Sequence, residues 1–193
     1  FSEFTLFEYR GMYTINEAAS IELFRGLQRD LTKLSMGSYF AQAAEVLSQE
    51  DLPNPELLSL LLNSLHVLCA GTVPEAQVKA VFELRSACIA GYTPDLSGCC
   101  QCGREEADRF DILAGRLECA DHRSPDSAGI RMPLTAGILA AMRYICFCDP
   151  KRLFSFTLGE NSLAALGGIT ESYLTTQLER GFSALDFYKS LLI

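Results

Sequence analysis

Four residues in the middle of the chain have the types and spacing to hold a metal ion. Cys99 and Cys102 form a C-x2-C pair, and Cys119 and His122 form a C-x2-H pair after the intervening Gly103 to Glu118. Thiolate sulfur and imidazole nitrogen are ligands that zinc takes, and two ligands three residues apart can meet one ion from a tight turn. The segment between the pairs reads as the hairpin that brings them together. Arg109-Phe110-Asp111-Ile112-Leu113 alternates, Ala114-Gly115 turns, and Arg116-Leu117-Glu118-Cys119 returns. Four protein ligands close a tetrahedron and leave no position for a reactive water, so the spacing predicts a structural zinc at Cys99, Cys102, Cys119 and His122. Cys100 is a second candidate for the place of Cys99, and Asp121 offers an oxygen donor beside His122.

Other chemistry finds little to work with. With His122 given to metal, His66 alone remains for general-base work, and it falls on the polar stripe Glu56, Ser59, Asn63, His66 of an otherwise apolar helix. No nucleophile elbow and no glycine-rich phosphate loop occurs. A zinc deaminase needs H-x-E and P-C-x-x-C, but neither histidine has Glu two residues on and Cys99 follows Gly98. The sequence therefore predicts no enzyme. Nor does the metal segment carry a phosphate-binding stripe. Between Gly103 and Arg131 the cations Arg104, Arg109, Arg116, Arg123 and Arg131 face the anions Glu105, Glu106, Asp108, Asp111, Glu118, Asp121 and Asp126, which reads as a solvated face of mixed charge.

The whole chain points the same way, with a formal net charge of -8 where nucleic-acid binders usually show a basic footprint. At 49% hydrophobic residues it can build a sizeable core. No apolar run reaches the roughly 18 residues of a membrane span, and no basic-then-apolar leader opens the sequence. Cys69, Cys88 and Cys146 fall on apolar helical faces, where a thiol behaves as a small hydrophobe. Zinc ligands beside buried thiols predict a reducing compartment, hence the cytoplasm.

The elements that must position the metal site are mostly helices. Residues 1–25 read as strands, with Phe4 and Leu6 on one face, a turn at Arg10-Gly11 and a second strand from Met12 to Ile15. From about residue 29 the period is helical, with Met36, Tyr39, Phe40, Ala43 and Leu47 on one face. Asn54 and Pro55 predict the start of a helix that Gly71 ends. Pro74 begins another, with the buried stripe Val78, Val81, Phe82, Cys88, Ile89 and a stop at Gly91 and Pro94. Thr135 caps a helix carrying Ile138, Leu139, Met142, Ile145 and Cys146. Tyr173, Leu174 and Leu178 mark a further helix. Ser183 to Asp186 resembles a capping box for the last one, with Phe182 stapled onto Phe187. The fold class predicted is mainly α: a helical bundle over residues 26–193 with a zinc-finger hairpin inserted at 99–122.

Several stretches together resemble the bacterial RecO family of DNA repair and recombination proteins. They are Phe82-Glu83-Leu84-Arg85 with Gly91-Tyr92-Thr93-Pro94-Asp95-Leu96 running into Cys99-x-x-Cys102-Gly103; Phe4-Thr5-Leu6-Phe7 with Glu17-Ala18 and Ile21-Glu22; and Gln177 to Phe182 with Leu185-Asp186-Phe187-Tyr188. The resemblance implies an N-terminal OB-fold, of which residues 1–25 are the last strands, and a helical C-terminal domain with an inserted zinc finger. It implies DNA binding, mainly through the OB-fold, and annealing of complementary strands. Together with RecR, such a protein helps load RecA on single strands covered by SSB, and it recognises the acidic SSB tail. It also implies a nucleoid-associated, cytoplasmic location. Where four-cysteine members have Cys, this chain has His122, itself a competent zinc ligand. A groove for an acidic, hydrophobic-ended tail needs cations at its rim. Arg143, Lys151 and Arg152, beside Phe147, Leu153 and Phe154, fit that best. The competing reading is a zinc-stabilised adaptor that binds only protein partners.

Overall fold

The computed structural model describes residues 1–122 and 129–192, so Arg123 and Asp126 of the charge count lie outside the described residues. The chain opens on a two-stranded antiparallel ribbon, β1 (Ser2–Tyr9) and β2 (Met12–Ser20). Arg10 and Gly11 both take positive φ, 53° and 76°, the backbone that lets a two-residue turn follow the twist of its strands. A bulge places Leu6 opposite Ile15 one step after Thr5 opposite Glu17. From Glu3 to Ser20 every residue of the ribbon is exposed, including Phe4, Leu6, Phe7, Tyr13 and Ile15.

The helical body contains α1 (Leu31–Leu47), α2 (Pro55–Ala70), α3 (Glu75–Ile89), α4 (Ala136–Phe147), α5 (Glu160–Gln177) and α6 (Ser183–Ser190). Local chemistry sets three of these six starts. The Asp30 carboxylate accepts from the N–H groups of Thr32 and Lys33, Asn54 accepts from Leu57 N–H ahead of Pro55, and Thr135 accepts from Ile138 N–H. Gly71, at φ 67°, ends α2 in the left-handed conformation that glycine reaches without strain.

α3 differs from the amphipathic stripe the sequence predicts. Residues 77 to 84 are all buried, so it is the axis of the body, packed by α1, α2, α4 and α5. Cys88 and Ile89, placed on the buried stripe, are only half-buried. The last helix also starts differently. Ser183 is its first helical residue, and the end is capped from α1: the Gln42 side chain accepts from Ala184 N–H and donates to Ser183 Oγ. Phe182 is buried edge-on against Tyr39, with ring centroids 5.4 Å apart, while Phe187 is exposed; no staple joins them. A cap supplied by another helix, 141 residues away in sequence, carries no local pattern.

Between α3 and α4 runs a four-stranded sheet ordered β3 (Asp95–Cys99), β5 (Arg116–Glu118), β4 (Arg109–Asp111), β6 (Arg131–Pro133). The predicted hairpin is β4–β5, joined through four residues from Ile112 to Gly115 in place of a two-residue turn. The two flanking strands do not show in the sequence, because runs of five and three residues are too short for alternation to register.

Candidate metal centre

The Cys99–Cys102 knuckle forms where β3 ends. Gly103 N–H donates to Cys99 C=O and Cys99 N–H to Arg104 C=O, each at 2.8 Å, and Gly103 turns the chain at φ 72°. The loop folds back so closely on Gly98 that a Cβ there would sit 2.6 Å from Gly103 O and 2.9 Å from Arg104 O. Gly98 is thus required by close approach, a role that only the folded loop reveals. Backbone N–H groups of Gln101 and Cys102 point at the Cys99 sulfur and hold its pKa down to about 6. A thiol held this low already favours the thiolate that a metal needs. Cys119 is pushed the other way by burial.

The second pair arrives at the end of β5, where a short 3-10 turn over Ala120–His122 presents Cys119 and His122. Cys119 Sγ lies 3.3 Å from His122 Nδ1 and 3.8 Å from Cys102 Sγ. The ligand atoms of Cys99, Cys102, Cys119 and His122 all lie within 4.8 Å of one another. Neither rival joins them. Cys100 is exposed, its backbone N–H tied to Leu117 C=O, and Asp121 pairs with Arg104 at 2.9 Å on the surface. Three thiolates and one imidazole at these separations suit one tetrahedral ion bound by sulfur and nitrogen, zinc being the usual occupant. A full set of protein ligands leaves such an ion no place to bind and activate a substrate.

The finger is built into the body. Phe110, Ile112 and Leu117 are fully buried, and Phe110 meets Tyr173 of α5 edge-on at 5.3 Å. The Tyr173 hydroxyl donates to Tyr92 C=O, and Gln177 Nε2 to Ile112 and Leu113 C=O, so α5 grips both the entry to β3 and the hairpin turn. From α4, Arg143 donates to the carbonyls of Leu96, Ser97 and Glu105 at 2.8, 3.3 and 3.1 Å.

The solvated face of mixed charge is corrected in part. Asp111 and Glu118 are buried, and Arg131 of β6 pairs with both, at 3.6 and 2.9 Å. These ion pairs join residues of three strands that lie apart in sequence, which is why a charge count could not separate them from surface residues. A second buried set was missed altogether. Lys79 Nζ lies 2.7 Å from both Glu83 and Glu171, and Glu83 also accepts from the hydroxyls of Tyr39 and Thr170. Lys189 completes the set at 2.7 Å from Glu171. The spacing of Lys79 and Glu83 at i and i+4 was visible, but it equally describes a surface pair.

Of the three cations read as a partner-binding rim, Arg143 is half-buried on the finger carbonyls, whereas Lys151 and Arg152 are exposed on the 3-10 turn Pro150–Arg152. Arg143 and exposed Phe147 line one open groove with Leu96, Ser97 and Glu105, while Leu153 is buried and Phe154 half-buried in the body.

A helical body with an inserted cysteine/histidine finger defines the class: a finger-bearing α-domain with a four-residue ligand cluster, Cys99 and Cys119 buried, His122 half-buried and Cys102 exposed. Residues 28–186 match the family model described as Recombination protein O C terminal. The chain is 32% identical over 193 residues to the DNA repair protein RecO of Acetivibrio thermocellus, covering 99% of this chain and 76% of that one. It is 26% identical to the RecO of Alkaliphilus metalliredigens, over 99% and 78% of the two chains. With the RecO of Rubrobacter xylanophilus identity is 33%, over 73% of this chain and 57% of the relative. The chain belongs to the RecO family of DNA repair proteins. No helix among the described residues is long and apolar enough to cross a membrane.

Proposed function

We propose that this chain is a non-enzymatic mediator of DNA repair and homologous recombination. It binds single- and double-stranded DNA, anneals complementary strands and, with RecR, helps load RecA onto SSB-coated single strands in the nucleoid-associated cytoplasm. Its cluster holds a structural zinc ion. The observation that carries this reading is the three-cysteine, one-histidine cluster in a finger that α4 and α5 hold, in a chain whose relatives are DNA repair proteins. The ion then supports shape and performs no step. Residues 1–25 supply strands of an OB-fold, the platform on which single strands stack. Arg143, Lys151 and Arg152 contribute to the seat of the acidic SSB tail; Phe147 beside Arg143 offers the apolar contact for its hydrophobic end.

A protein-only adaptor is the second reading, favoured by the net charge of -8. Fluorescence anisotropy separates the two. A labelled single strand is expected to bind with an affinity that falls steeply as salt rises, as phosphate contacts require. Tail peptide bound without any DNA binding or annealing would leave the adaptor. Lys151→Ala, which removes an exposed cation, is expected to weaken the tail peptide several-fold; unchanged affinity would remove this rim from the proposal.

A further inference from the structure

Outside the metal centre, two cysteines face each other across the packed helices α3 and α4. Cys88 Sγ lies 3.6 Å from Cys146 Sγ, near the C-terminal ends of both helices. A disulfide needs about 2.05 Å between sulfurs, so the two sulfurs must approach by about 1.5 Å. Their settings differ in the way a reactive pair requires. Cys88 is half-buried and open to a small reagent; Cys146 is buried behind it. The Cys146 thiol, the Thr93 side chain and the Arg85 guanidinium all favour a negative Cys88, whose pKa lies below the ordinary thiol value despite partial burial. The hydrogen bond with Cys88 and burial push Cys146 above the ordinary thiol value. Arg85 is fixed in place by Ile145 and Cys146 C=O, which accept from its Nη1 at 3.2 and 2.5 Å.

We propose that Cys88 and Cys146 are an oxidative modification site, a dithiol that a hydroperoxide converts into a disulfide linking α3 to α4. The Cys88 thiolate attacks the hydroxyl oxygen of the peroxide, the O–O bond breaks, and hydroxide leaves from hydrogen peroxide, or alkoxide from an organic hydroperoxide, giving a sulfenic acid at Cys88. The Cys146 sulfur then attacks the Cys88 sulfur as its own proton is lost. The S–S bond forms, the S–O bond breaks, and the departing oxygen leaves as water. Sulfur has lost two electrons in all and the peroxide has been reduced; a thiol reductant reverses the bond. The bond fastens the two supports of the finger, since α3 leads through Gly91 and Pro94 into β3 and α4 carries Arg143. Nothing here depends on DNA binding or on the nature of the metal.

The test uses the whole chain, reduced and carrying its metal, exposed to graded hydrogen peroxide, alkylated and analysed by non-reducing mass spectrometry. Expected is the loss of two of the eight thiols as a Cys88–Cys146 bond, located by fragmentation, at doses below those that release metal. Cys88→Ser and Cys146→Ser are each expected to abolish it and Cys148→Ser to leave it intact. Mapping on the unmodified sequence keeps the test independent of whether a variant folds. A bond from Cys88 to Cys148, a sulfonic acid accumulating at Cys88, or oxidation confined to the finger thiols would each overturn the proposal.

Discussion

The finger and the centre of the helical body solve the same problem in opposite ways. Each is a place where several segments must be held in one arrangement around polar groups. In the finger the holding groups come from a short stretch of chain, Cys99 to His122, and converge on one point. In the body they come from four helices. Tyr39 of α1, Lys79 and Glu83 of α3, Thr170 and Glu171 of α5, and Lys189 of α6 close a network of hydrogen bonds and ion pairs with no ion needed. A metal supplies its own attraction, so the chain need only place ligands. A buried ion pair does not, because desolvating its charges offsets much of their attraction. Its value lies in what happens when one partner is missing. The finger is therefore sensitive to a reagent in solution and the body to single substitutions.

The largest effect expected follows removal of the proposed zinc ion. Chelation, or Cys119→Ala, should abolish metal binding by elemental analysis and lower Tm by many degrees, because structural zinc is worth about 10–16 kcal/mol in isolated finger peptides. Helical circular dichroism should largely survive, since the polar network holds without the ion. Collapse of both regions together would break the comparison.

Next comes Glu83→Ala. It leaves the Lys79 ammonium buried with Glu171 as its one remaining carboxylate partner, and should cost about 3–5 kcal/mol in urea denaturation. Lys79→Met with Glu83→Leu should cost markedly less, because no buried ammonium is then left short of a partner and Glu171 keeps Lys189. Metal stoichiometry should stay the same in both.

Arg143 links the two regions. Arg143→Ala removes three hydrogen bonds from a guanidinium to finger carbonyls, and about 1.5–3 kcal/mol is the usual worth of one such charged bond. Half-exposure discounts this to about 2 kcal/mol in total. Amide exchange should quicken from Leu96 to Glu105 and not in α3; a change in α3 alone would show that Arg143 serves the body.

The smallest effect is in pH dependence. Burial raises the Glu171 pKa, but hydrogen bonds from Lys189 and Lys79 outweigh it, and the net shift is downward. A carboxylate with a lowered native pKa adds stability that is present above its unfolded pKa, about 4.3, and is lost as pH falls through the native value. Glu171→Gln should flatten the acid limb of a urea-midpoint profile below about pH 4.3 and lower the plateau above it. An unchanged acid limb would place the acid sensitivity elsewhere.

The sequence by itself determined what is local. The C-x2-C and C-x2-H pairs, the caps at Asn54 and Thr135, the Gly71 stop and the turn at Arg10-Gly11 are decided within a few residues, so spacing and residue type suffice to read them. Only the tertiary structure decided that α3 is buried on every side, that Gln42 caps α6, that Gly98 leaves room for the knuckle, and that Arg131 pairs with both Asp111 and Glu118. Each of these is a meeting of groups distant in sequence or hidden among ordinary surface charges. The cost of burying a polar group is set by the neighbours it finds after folding, and no periodicity along the chain records who those neighbours are.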